Sequence, residues 1–218
     1  MDAPAKPPGT PEELLLRALC SGRLLIGEIL LGRDFTLRHH ADEGIEELRV
    51  YPDPAFSARE IAKFDAEGNF RPLRSAPTLR RGWLIRAANP KGMLLALEEF
   101  YPAAMGLWLS SLHGMLAPTP FRQTLGRQTG MYRVTQLLRD DQAREIIAAR
   151  CGRGCLRTVL WDLEPGLPPD VLPPERRATD PHALELIPLL CREACNLLVA
   201  DARPVAKRNV PEENQSPS

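Results

Sequence analysis

Residues 151–155 read CGRGC and residues 191–195 read CREAC. Each stretch holds two cysteines with three residues between them, and the 218-residue chain has only one further cysteine, Cys20. Two matched pairs of thiols brought together would supply a complete ligand set for either a structural zinc ion or an iron–sulfur cluster. Zinc ribbons and knuckles usually use a tighter C-x2-C turn, which sets two sulfurs on one small ion. The looser spacing of three suits the wider sulfur separations of a cubane cluster. Around the second pair the apolar pattern predicts a helix over 181–199, which would put Cys191 and Cys195 on one face. Around the first pair, Gly152 and Gly154 free the backbone, so that its N–H groups can approach inorganic sulfide. The expected cofactor is therefore a [4Fe–4S] cluster on Cys151, Cys155, Cys191 and Cys195, with a structural zinc on the same thiolates as the alternative. Cys20 sits in an apolar helical stretch and is expected to be a buried core thiol.

Charge around the pairs points the same way. Between residues 122 and 157 there are eight arginines against Asp140, Asp141 and Glu145. Arg150, Arg153 and Arg157 bracket the first pair and Arg192 lies inside the second. A cluster held by four thiolates is anionic, and nearby guanidinium groups favour deprotonated thiols. The plain alternative is that several of these arginines, Arg133 and Arg144 among them, only solvate a helix face.

Working outward, turn and periodicity signals divide the chain. Residues 1–10 and 210–218 are polar or proline-rich and expected to be disordered. Thr10, Pro11 and Glu13 form the signature of a helix start with a capping box. Strands are expected at 24–31 and 35–40 around a Gly32-Arg33-Asp34 turn, at 47–51, and at 82–88. The segment 57–73 is ambiguous: Ser57 with Glu60 could cap a helix, whereas 65–69 (DAEGN) is turn chemistry. Helical spacing runs from 91 to 112 and breaks at Pro102. MLAPTP at 115–120 marks a boundary. Beyond it helices are expected at 121–125, 129–150 and 181–199, with a proline-rich loop at 165–180. The predicted fold class is α+β: a mixed domain of helices and β-hairpin strands at 11–114, then a small, mostly helical, cluster-binding domain at 121–205.

Composition bounds the function. Formal net charge is zero, so no global field draws the chain to nucleic acid or to an anionic membrane. No apolar run is long enough to span a bilayer. The N-terminus lacks the apolar core of a signal peptide, so a cytoplasmic location is expected and disulfides are disfavoured. There is no phosphate loop, no G-x-S-x-G and no HExxH. In a strand, His39 and His40 would face opposite ways, one to solvent and one to the core. Two segments rich in arginine and aromatic residues, 71–83 and 127–133, are candidate sites for an anionic ring ligand, with Trp83 or Tyr132 stacking on it. The alternative is a surface hairpin and an ordinary helix start.

Four stretches carry a family resemblance: 70–83 (FRPLRSAPTLRRGW), 127–132 (RQTGMY), 154–161 (GCLRTVLW) and 190–197 (LCREACNL). They resemble the iron–sulfur-binding and stabilising regions of a chelatase-like, sirohydrochlorin chelatase-related family known from Deinococcus. The resemblance implies a [4Fe–4S] cluster on the two cysteine pairs. It also implies a link to metal insertion into tetrapyrroles, with a chelatase or another protein of that pathway as partner. The α/β chelatase pattern itself does not fit in this sequence, so metal-inserting catalysis does not carry over. The expectation is an accessory, redox or stabilising component. Its oligomeric state and any catalytic residues are left open.

Overall fold

The computed structural model describes residues 10–117, 119–128, 131, 135–152, 154–162 and 185–209. The disorder expected at both ends and the loop expected at 165–180 fall outside these residues, apart from Thr10. The chain divides into two units. Residues up to 116 and the described stretch 185–190 form the first; residues 117–162 and 191–209 supply the described part of the second. The described residues contain no helix long and apolar enough to cross a membrane.

In the first unit, helix α1 (Pro11–Ser21) begins with reciprocal capping. The Thr10 hydroxyl accepts from the Glu13 N–H at 3.2 Å, and the Glu13 carboxylate accepts from the Thr10 N–H at 2.9 Å. Leu15, Ala18 and Leu19 form its buried stripe. Cys20 lies off that stripe and is exposed, which corrects the expectation of a core thiol.

Strands β1 (Leu24–Ile26), β2 (Ile29–Leu31) and β3 (Thr36–His39) run antiparallel in sequence order. The run expected as one strand at 24–31 is thus a tight hairpin of its own, turned by Gly27-Glu28. Gly27 has φ +58°, and a Cβ there would stand 2.6 Å from Tyr101 Oη and 2.9 Å from Leu189 Cδ1. The left-handed backbone and the close approach both demand glycine. Gly27→Ala is expected to cost about 3 kcal/mol, from backbone strain plus overpacking. Urea denaturation measures this, and a loss under about 1 kcal/mol would show that the hairpin tolerates a side chain.

Strand β4 (Arg49–Tyr51) leads into helix α2 (Pro54–Ala62), and strand β5 (Trp83–Arg86) completes the N-terminal set. The sheet order is β4-β5-β3-β2-β1, followed by a sixth strand at Glu185–Ile187 that lies parallel to β1. Helix α2 is capped by Asp53, whose carboxylate accepts from Phe56 N–H at 3.0 Å, not by Ser57, which is buried. The Asp65 carboxylate then accepts from the Glu67 and Asn69 N–H groups. The segment 57–73 thus holds the end of a helix that starts earlier than Ser57, followed by the expected turn at 65–69. Helices α3 (Pro90–Phe100) and α4 (Ala104–Leu112) flank the break at Pro102. Trp83 stacks on Phe100 at 5.2 Å within the core.

The second unit contains α5 (Phe121–Gly126), α6 (Asp140–Ile147) and α7 (Asn196–Arg208) around Leu125, Ile147, Trp161 and Leu198. The long helix expected over 129–150 is broken: a 3₁₀ turn at Thr135–Leu137 precedes α6 among the described residues. The helix expected over 181–199 is overturned from 185 to 195 and present from 196 onward. Residues 185–187 are a strand, and α7 starts only at Asn196. Pro188 explains the difference, since it offers no N–H to a helix and disfavours helical geometry at Ile187.

Candidate metal centre

The first cysteine pair stands where a helix changes form. α6 widens at its end into a π-turn, Ala148–Gly152, that carries Cys151 into the apolar core. Such turns are common where a helix must re-aim a side chain at a functional site. Cys155 follows Gly154, at which an added Cβ would meet no described atom within 4 Å. Packing against the described residues therefore does not require glycine there.

The second pair is not on one helical face. Cys191 ends a short strand, and Cys195 is the N-cap of α7 with extended backbone (φ −77°, ψ 162°). The shared helical face expected for Cys191 and Cys195 is therefore absent. Instead, Cys195 stands at the N-terminus of a 13-residue helix, which follows in sequence the strand that carries Cys191.

None of the four cysteines forms a disulfide among the described residues, and Cys191 and Cys195 pack against the apolar cluster that includes Cys151. Burial pushes the Cys151 thiol up to about 12, with the nearby Cys155, Cys191 and Cys195 thiols adding in the same direction. Desolvation likewise raises Cys191 to about 11; Arg157 opposes the shift, while Cys155 and Cys195 reinforce it. Each of the four is thus electrostatically coupled to Cys151 or is Cys151 itself. A cationic metal core binding here would displace protons from these thiols. The Cys155 sulfur accepts from the Arg157 N–H at 3.4 Å, and the Cys191 thiol donates to the Glu193 carbonyl at 3.3 Å. Trp161 Nε1 is buried with no hydrogen-bond partner among the described residues. No three His, Cys, Asp or Glu side chains among the described residues are arranged to hold a metal ion.

Two ion pairs tie the second cysteine segment to the rest of this unit. Arg127 meets Glu193 at 2.7 Å, with both side chains half-exposed. Arg150 forms a two-point pair with Asp201, at 2.6 Å from Nε and 2.9 Å from its terminal nitrogen. The Asp201 carboxylate raises the Arg150 guanidinium above its ordinary value, and the Cys195 and Cys151 thiols act in the same direction. Of the arginines singled out from the sequence, Arg192 is exposed. Arg153, Arg133 and Tyr132 lie outside the described residues.

The proposed anion site at 71–83 does not survive in that form. Arg71 points inward, donating to the carbonyls of Ala62, Arg74 and Ala76. Trp83 is 2 % exposed and donates to the Arg80 carbonyl, so its ring is not available to stack on a ligand. His39 is the core-facing histidine, 3.4 Å from Glu28, and accepts from the Ala41 N–H. His40 opens a 3₁₀ turn instead of continuing the strand, so the two rings stack at 4.8 Å and do not face opposite ways.

Comparison with known proteins finds a similarity for each half. Residues 113–204 match the family described as a 4Fe-4S iron-sulfur cluster binding domain. Residues 13–111 match the DR2241 stabilising domain. The chain is similar to DR2241 from Deinococcus radiodurans, at 31% sequence identity and a TM-score of 0.68. That protein is described as a multi-domain protein with structural similarity to chelatases and two additional novel domains. The match covers 90% of this chain and 41% of that one, so this chain spans well under half of its length. This chain thus resembles the cluster-binding and stabilising regions of a chelatase-like protein. No curated protein matches it significantly.

Proposed function

We propose that Cys151, Cys155, Cys191 and Cys195 hold a [4Fe–4S] cluster, and that the chain is an accessory component of tetrapyrrole metal chelation. The observation that carries this reading is the packing of Cys191 and Cys195 against the apolar cluster that holds Cys151, inside a segment that matches a cluster-binding domain. The donor set is chemically apt: soft thiolates suit iron–sulfur clusters. A buried Trp161 N–H without a partner is an available donor toward sulfur in this core. When bound, the cluster supplies reversible one-electron chemistry or a rigid staple. The protein's own residues supply ligands, exclude water through Val159, Ala194 and Leu198, and place Arg150 and Arg157 beside the thiols.

The link to chelation rests on similarity to a chelatase-like protein, with a separate chelatase of the sirohydrochlorin type as the proposed partner. Anaerobic purification should give a brown protein with iron and acid-labile sulfide in equal amounts and broad absorbance near ~400 nm. Reversible bleaching by dithionite supports electron transfer, and an inert cluster supports a staple. A colourless protein with stoichiometric zinc after iron-replete growth overturns the cluster.

A further inference from the structure

We propose that the Arg150–Asp201 ion pair is a clasp between the two cysteine-bearing segments, retaining the cluster and setting its reduction potential. This deepens the four-cysteine reading and rests on it. Arg150 lies in the π-turn immediately before Cys151, and Asp201 lies on α7, whose N-cap is Cys195. The two side chains meet through two parallel hydrogen bonds, at 2.6 and 2.9 Å, and are each about one-third exposed, 34% and 35%. Ile147 and Cys151 on one side, and Leu198 and Ala202 on the other, belong to the same apolar cluster. A two-point guanidinium–carboxylate contact fixes direction as well as distance, which a lysine cannot reproduce. The other cross-tie, Arg127–Glu193, makes one hydrogen bond in a half-exposed setting, where solvent weakens it.

The same pair bears on charge. Arg150 is within electrostatic reach of the Cys195 and Cys151 thiols. Reducing a cluster adds negative charge, which a neighbouring cation stabilises and a neighbouring carboxylate opposes. Arg150 therefore raises the potential and Asp201 lowers it. A purely structural brace would not show these opposite signs.

The test uses the full chain, reconstituted anaerobically, as wild type, Arg150→Gln, Arg150→Lys and Asp201→Asn. Potentials are read by dye-mediated titration, and cluster loss is followed as colour decay in excess chelator. Arg150→Gln should lower the potential, Asp201→Asn should raise it, and Arg150→Lys should leave it near wild type. All three should lose the cluster roughly tenfold faster, because each breaks the two-point contact. Potentials that move together or not at all overturn the proposal, as does cluster loss within about twofold of wild type. If single variants fail to fold, the reversed pair Arg150→Asp with Asp201→Arg decides: restored retention supports the clasp, and unrestored retention overturns it. A wild-type chain that binds no cluster overturns the underlying reading, a result distinct from these.

Discussion

Cys151→Ser is expected to give a colourless protein, with bound iron and acid-labile sulfide reduced by more than about tenfold. Cys151 is the one of the four cysteines that lies inside the apolar cluster, with Cys191 and Cys195 packed against it. A serine hydroxyl is a harder donor with a much higher pKa, so it replaces a thiolate poorly at iron. It would also bury an additional polar group in an apolar cluster. Cys20→Ser is the matched control: Cys20 is exposed on α1 in the other unit, and its replacement should leave the iron content unchanged. Wild-type iron and sulfide in Cys151→Ser would remove that cysteine from the ligand set. Circular dichroism of both variants separates loss of the cluster from loss of the fold.

Arg71→Met is expected to destabilise the first unit by about 3–5 kcal/mol, the usual cost of removing one partner from a buried charged network. The Glu28 carboxylate lies between His39 at 3.4 Å and the Arg71 guanidinium at 3.8 Å, and accepts from the Leu79 N–H at 3.0 Å. Burial holds the Arg71 guanidinium below its ordinary value, while Tyr101 and Glu28 push the other way. Removing it leaves Glu28 without its guanidinium and the Ala62, Arg74 and Ala76 carbonyls without this donor. Urea denaturation measures the effect, and Glu28→Gln combined with Arg71→Met isolates the coupling between the two. A single-variant loss under about 1 kcal/mol would show that the methionine repacks and that the charges are dispensable.

Local chemistry was legible in the sequence where a few adjacent residues decide it. Thr10 and Glu13 announce α1, Pro102 separates α3 from α4, and two C-x3-C pairs draw attention to the second unit. Long-range placement was not legible. Arg71 looks like a surface cation in sequence and is a core residue, because three carbonyls and Glu28 from separate segments surround it. Trp83 is taken into the core by Phe100 and the Arg80 carbonyl in the same way. The apolar run before Cys191 fits a helix or a strand equally by periodicity. Pro188 was the available signal against helix, and pairing with β1 settles it as strand. Arg150 adjoins Cys151 in sequence, but its partner Asp201 lies 51 positions away and carries no motif.

The return of residues 185–187 to β1 places the two cysteine pairs on opposite sides of an excursion into the first unit. Cys151 and Cys155 emerge from the ribosome well before the strand that must pair with Leu24–Ile26, and Cys191 and Cys195 emerge just after it. The nascent chain therefore carries an incomplete thiol set until its most non-local pairing can form, and such pairings are slow. For the proposed cluster, assembly would therefore be a matter of timing as much as of affinity, because the early pair waits through that interval without its partners.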